Sequence, residues 1–257
     1  MPPSTASAVD TLSLVLEAAD HEALFTLAGG LKPLSTGFWQ GSFEVAAPDL
    51  SELRSVRAAL APLRNERWYA DVHVFAAVHD GERAAHAFVV HRAALARSIQ
   101  RFEAFWSPWG IAPDTHPSEV LAVLDRMPKA DRWRGFGHLF GFPADAVDFF
   151  VAAGLAAHAG GEVGPGKDRR FVQISTFAAD TGRFTYAEQL DHERSAADDA
   201  LADAAERILD AYTERRDTLR DATSLIAALA GLDRRFEGIA ASAAEIRDAR
   251  SARSEVD

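Results

Sequence analysis

The chain has 257 residues, 48% of them hydrophobic and 25% charged, the composition of a folded globular protein with room for a sizeable core. A formal net charge of −11 leaves no basic face of the kind nucleic acid requires, and it disfavours anionic membrane surfaces. There is no cysteine, which excludes disulfides, thiolate nucleophiles and zinc–cysteine sites, and no apolar run approaches the ~20 residues of a membrane span.

The start, MPPSTASAVD, lacks the basic and apolar regions of a secretory signal, so the expected location is cytoplasmic unless a signal has been removed. Residues 8 to 28 read as a first helix, with Leu14, Ala18, His21, Leu24 and Ala28 recurring at helical spacing. Within it Glu17 and His21 stand four apart, on one face and able to share an ion, with Glu22 beside them. Such pairs are also common on solvated helices. Gly29-Gly30 and Pro33 end the helix. The loop GGLKPLSTG offers Lys32 and two hydroxyls, the ingredients of an anion cradle, although a glycine cap followed by a turn explains it as well.

Residues 37 to 46 read as a strand, and Asp49 as the cap of a second helix reaching about Leu63. The stretch from Tyr69 to Arg92 reads as two strands joined at Asp80-Gly81, a dipeptide suited to a tight hairpin. A two-residue turn places His79 opposite Glu82, Phe75 opposite His86, and His73 opposite Phe88. His73, His79 and His86 then share one face, whereas a three-residue loop with a bulge would turn His86 away. Both faces carry enough apolar residues to be covered, as in a central hairpin. A histidine on a covered face is either a core residue or a ligand, and imidazole is the usual metal ligand and acid/base group near neutral pH.

Helices are expected over 93–105 and from Ser118 to Met127. The glycine-rich RWRGFGHLFGFP, residues 132 to 143, reads as a loop that sets His138 among Phe136, Phe140 and Phe142, with Arg134 nearby. It fails the dinucleotide fingerprint because no strand precedes it. A helix from about Ala144 to His158 follows, then the loop GPGKDRR, in which Lys167 could reach an anionic substrate. FVQISTF and GRFTYAE look like a second hairpin, and residues from Asp191 onward are helical, with breaks expected near Arg216-Asp217 and at Gly231.

Strands in hairpins rather than strict βαβ alternation argue for an α+β fold with a mainly antiparallel sheet of about five strands. The expected division is an α+β core over 1–190 and an acidic amphipathic helical segment over 191–250, which packs on the core or dimerises. From Glu188 to the end there are 17 acidic and 10 basic residues, against 21 and 17 before it.

Two functions from different classes fit. One is an enzyme acting on a small, anionic molecule through a histidine-based site, with room for a divalent metal whose bound water would make it a hydrolase. In that reading His73, His138 and Glu22 are catalytic, Lys32, Arg134 and Lys167 bind substrate, and His21, His73, His86 and Glu17 ligate the metal. The other is a non-catalytic binding or scaffold protein, a homodimer through its terminal helices, with the histidines in its core.

Overall fold

The computed structural model describes residues 9–160, 169–180 and 183–238. These form an α+β fold of ten α-helices and five strands, the strands divided between two separate antiparallel sheets of three and two. The expected strand number and antiparallel sense are present, but not one continuous sheet.

Helix α1 spans Thr11–Asp20, opened by Asp10, whose carboxylate accepts from Ser13 N at 2.8 Å. The helix expected over 8–28 breaks at His21, which has extended backbone, and resumes as the short α2, Leu24–Leu27. The His21 ring serves the break: Nδ1 lies 2.8 Å from Glu17 O, a carbonyl of the helix's last turn. Gly29 and Gly30 follow with φ of +83° and +64°. A Cβ on Gly29 would stand 2.9 Å from Cβ of Phe236, so the loop is glycine for close approach as well as for backbone conformation.

Strand β1, Leu34–Glu44, pairs with β3, Glu82–His91, and β3 pairs with β2, Trp68–Val74, giving the order β1-β3-β2. Both partners of β3 are antiparallel to it. The hairpin register differs from expectation. His79 pairs with Glu82 as read, but His73 stands opposite His86 and Phe75 opposite Ala84. Between Phe75 and His79 the first strand carries two more residues than its partner, and it leaves the ladder there. That excursion is held in place by Ala76 N donating to Asp125 Oδ2 at 2.6 Å and Arg83 Nε donating to Phe75 O at 2.7 Å. An even insertion preserves the alternation of faces, so His73 and His86 still share one.

The central hairpin is covered on both sides. Ala70, Val72, Ala85, Ala87 and Val89 face one apolar cluster, together with α1, α2 and α3 (Ser51–Ala59). Phe88 and Val90 face a second cluster, with Leu95 and Ile99 of α4 (Arg92–Arg101), Trp106 of α5 (Glu103–Trp106) and Leu124 of α6 (Pro117–Arg126).

The expected glycine loop at 132–143 is instead largely helix: α7 runs from Lys129 to Leu139. Its glycines serve packing. A Cβ on Gly135 would overlap Leu124 Cδ1, and one on Gly137 would come within 2.6 Å of Val147 Cγ2 on α8, Ala144–Gly160. The second hairpin joins β4, Arg169–Ser175, to β5, Arg183–Gln189. Phe184 and Tyr186 turn into the first apolar cluster.

Helix α9, Ala196–Arg216, opens with a capping box in which Ser195 and Asp198 exchange hydrogen bonds. It ends where the break near Arg216-Asp217 was expected. Helix α10, Ala222–Phe236, runs through Gly231 without the second break. Leu201, Ile208, Leu225, Leu229 and Phe236 share a cluster with Val15, Phe25 and Val89. Polar ties accompany this packing. Asp20 accepts from Tyr212 Oη at 2.7 Å and from Arg216, and Asp233 accepts from Gly29 N at 3.0 Å, His91 Nε2 at 3.0 Å and Arg67 Nη1 at 2.8 Å. His91, which sequence marked only as a strand end, is also the N-cap of α4.

Candidate functional site

A cavity of about 400 Å³ lies between the second face of the three-stranded sheet, helices α7 and α8, and the β4–β5 hairpin. Its wall is aromatic and aliphatic: Phe75 beside the sheet, Leu121 on α6, Trp133 and Phe136 on α7, Val147 and Phe150 on α8, with Phe140 and Phe142 from the turn between those two helices. The hairpin adds Phe171, Thr185, Tyr186 and Ala187. Polar groups are few. Thr36 Oγ1 is already donated to Ala87 O at 3.0 Å. No lysine or arginine lines the cavity among the described residues.

Among the described residues, His73 is the one sequence-derived site residue in that wall. Burial holds its pKa below the usual histidine value, opposed by Asp125 and reinforced by His86, Arg126 and Arg83. The ring is therefore neutral at pH 7. Its Nε2 is buried with no hydrogen-bond partner among the described residues, and Asp125 Oδ2 is 3.9 Å away. His86 sits directly opposite across the ladder, and Phe75 makes edge contacts of 4.9 Å with both imidazoles. Burial lowers the His86 pKa too.

The other expected residues are dispersed. His138 stacks on Phe102 with centroids 3.7 Å apart and meets the edge of Phe105. Burial, with Arg134 adding to it, pushes its pKa down to about 4, and Nδ1 has no hydrogen-bond partner among the described residues. It is packed as a core aromatic and does not line the cavity. Lys32 is 1% exposed, paired with Glu22, and its Nζ lies 4.6 Å from the Phe184 ring centroid and 5.2 Å from that of Phe140. Burial lowers the Lys32 pKa and Glu22 opposes the shift. The structure thus unites the expected substrate cation with the expected base, in a buried pair rather than an open cradle. Glu17 and His21 also meet, at 3.4 Å, on the surface of α1. Arg134 pairs with Asp148 at 2.9 Å on exposed surface. Lys167 lies outside the described residues.

No family model, curated protein or solved structure matches the chain.

Sequence reasoning missed a second constellation. Glu188 at the end of β5, His192 in the following turn and Asp198 in the first turn of α9 bring ligand atoms within 4.8 Å of one another. This group could hold a metal ion, and it is the one such group of three among the described residues. It shares no member with the set expected from sequence. Glu188 and Asp198 are buried, at 4% and 6% exposure. Glu188 is also paired with Arg170 at 2.5 Å. Burial alone would raise the Asp198 pKa, but hydrogen bonds from Ser195 N and Oγ, both 2.7 Å, and from His192 hold it below the usual carboxylate value. Nearby Tyr186 has its pKa raised, first by burial and then by the negative charge of Asp198, Glu188 and Asp145. Two signals for this cluster were present in sequence: the Glu188-xxx-His192 spacing and the Ser195-x-x-Asp198 capping pattern.

Proposed function

We propose that the protein binds an uncharged, largely apolar small molecule in the cavity between the sheet, α7–α8 and the β4–β5 hairpin. One observation carries this reading: a pocket of about 400 Å³ whose wall is aromatic and aliphatic, with a single neutral imidazole set into it. That volume falls within the about 300–1,000 Å³ typical of small-molecule sites, which pair an apolar wall with a few polar groups that fix orientation. An empty apolar pocket leaves its lining without dispersion partners, so filling it is favourable provided the ligand brings no charge. The absence of a cation from the described wall favours a neutral ligand over the anionic substrate expected from the loops. His73 supplies the polar element, suited to a ligand with one hydroxyl or carbonyl. Binding, with no chemical step, accounts for the arrangement.

The test is titration with Nile red, a neutral dye whose emission rises in apolar surroundings, followed by competition with uncharged alkylphenols and with fatty carboxylates of equal length. Dye binding, displaced by the phenols and lost in a folded Ala146→Phe variant that fills the pocket, is the expected result. Absence of binding, or equal binding by Ala146→Phe, removes the proposal. Preferential displacement by the carboxylates would instead return the site to an anionic ligand.

A further inference from the structure

We infer that Glu188, His192 and Asp198 form a divalent-cation site of the zinc class, with Asp145 as the outer partner of the histidine. The two nitrogens of His192 face different carboxylates. Nε2 faces the two buried carboxylates, 3.2 Å from Asp198 Oδ2 and 3.8 Å from Glu188 Oε2. Two ligand atoms bound tetrahedrally at about 2.0–2.2 Å from Zn²⁺ lie about 3.4 Å apart, and the two observed distances straddle that value.

The opposite nitrogen supplies an independent observation. Nδ1 is 3.6 Å from Asp145 Oδ2, which belongs to a different element, the start of α8. A metal-bound histidine characteristically gives its other N–H to a carboxylate, which fixes the tautomer and strengthens the ligand. Here Asp145 lies on that side of the ring, at 3.6 Å just beyond hydrogen-bond reach. Arg170 Nε donates to Glu188 Oε1, leaving Oε2 toward His192, whereas Ser195 N and Oγ both donate to Asp198 Oδ2, the oxygen that faces His192, so the ion would share that oxygen with Ser195.

Charge points the same way. Two buried carboxylates, Glu188 and Asp198, and the exposed Asp145 surround one imidazole, and among the described residues Arg170 pairs with Glu188 alone. Buried carboxylates need a compensating charge, and a divalent cation would supply it. Borderline ions such as Zn²⁺ accept this mixture of imidazole and carboxylate, and a fourth position remains for water. Loading would replace the His192–Asp198 hydrogen bond: with Nε2 on the ion, the neutral imidazole carries its one proton on Nδ1, the side of Asp145.

The ion would join β5, the turn after it and α9. Tyr186, Ala187 and Ala146, neighbours of Glu188 and Asp145 in the chain, line the cavity. Its role is to pin that wall rather than to reach the cavity's occupant, and it does not depend on what the occupant is.

The experiment is calorimetric titration of the full chain, stripped with chelator, with Zn²⁺ at pH 7.5, alongside its melting temperature. The expected result is one saturable site and a melting temperature that climbs with Zn²⁺ concentration, because the ion binds only the folded form. His192→Gln should abolish that site, and Asp145→Asn should weaken it by about 10–100-fold, the usual cost of removing an outer-shell partner. No saturable binding by the unaltered chain overturns the inference. So does unchanged affinity in folded His192→Gln, which would assign the ion to other histidines. Should His192→Gln fail to fold, the exposed Asp145→Asn decides: a 10–100-fold loss supports the site, and unchanged affinity overturns it.

Discussion

His138 offers a direct measure of how this core treats polar groups. Its ring is stacked 3.7 Å from Phe102, 6% of the residue is exposed, and Nδ1 has no hydrogen-bond partner among the described residues, so protonation would set a charge among aromatic rings. Burial, helped by Arg134 and Arg101 and opposed by Asp148, takes the pKa from 6.5 to about 4. The unfolded chain therefore binds the proton first as pH falls. Stability is complete above about 6.5, declines below it, and levels off near 4. That gap corresponds to about 3 kcal/mol, a large share of the about 5–15 kcal/mol by which such domains are stable. His138→Phe keeps the stacking, removes the titration, and should lie within about 1.5 kcal/mol of the parent at pH 7. Urea unfolding of both proteins from pH 7 to pH 4 isolates the effect, because His73 and His86 titrate in each. The parent should lose about 3 kcal/mol more than the variant across that range. A flat difference, or an NMR titration of His138 centred near 6.5, would refute the burial argument and reopen an acid/base role.

Three further outcomes follow from other contacts. Asp233→Ala leaves Gly29 N and His91 without their acceptor and should cost about 3–5 kcal/mol by urea unfolding. Asp233→Asn should cost less, and because the Asp233 pKa lies below 3.8 when folded, its deficit should shrink as pH falls through that value. Gly137→Ala places a Cβ 2.6 Å from Val147 Cγ2, so overpacking of about 1–3 kcal/mol should outweigh the ~1 kcal/mol gain in helix propensity, and Nile red binding should weaken with it. Glu22→Gln alone should destabilise the chain more than Glu22→Gln with Lys32→Met, since only the single variant leaves the buried ammonium unpaired; equal midpoints in urea would refute a charged Lys32.

Local chemistry was legible in the sequence wherever it was self-contained. The Asp80-Gly81 turn, the pairing of His79 with Glu82, the second hairpin and the end of α9 near Arg216 depend on neighbours in the chain. What escaped depends on partners distant in sequence. The insertion between Phe75 and His79 is fixed by Asp125, about fifty residues on, and no periodicity reports it. Gly135 and Gly137 suggested a loop because glycine weakens an isolated helix, yet here it lets α7 approach α6 and α8 closely. The cavity could not be read at all, because its wall is drawn from six or more elements whose aromatics look like core when taken one by one.

The ties from α10 and α9 back to the first turns of the chain bear on how the protein is made. Gly29 waits for Asp233, 204 residues later, and Asp20 waits for Tyr212 and Arg216. At about 5–20 residues per second a ribosome takes about 10–40 s to deliver that distance. During that interval Leu24, Phe25 and Leu27, all 0% exposed in the finished fold, have emerged without the helices that cover them. Completion of this part of the core therefore waits until α10 has been synthesised.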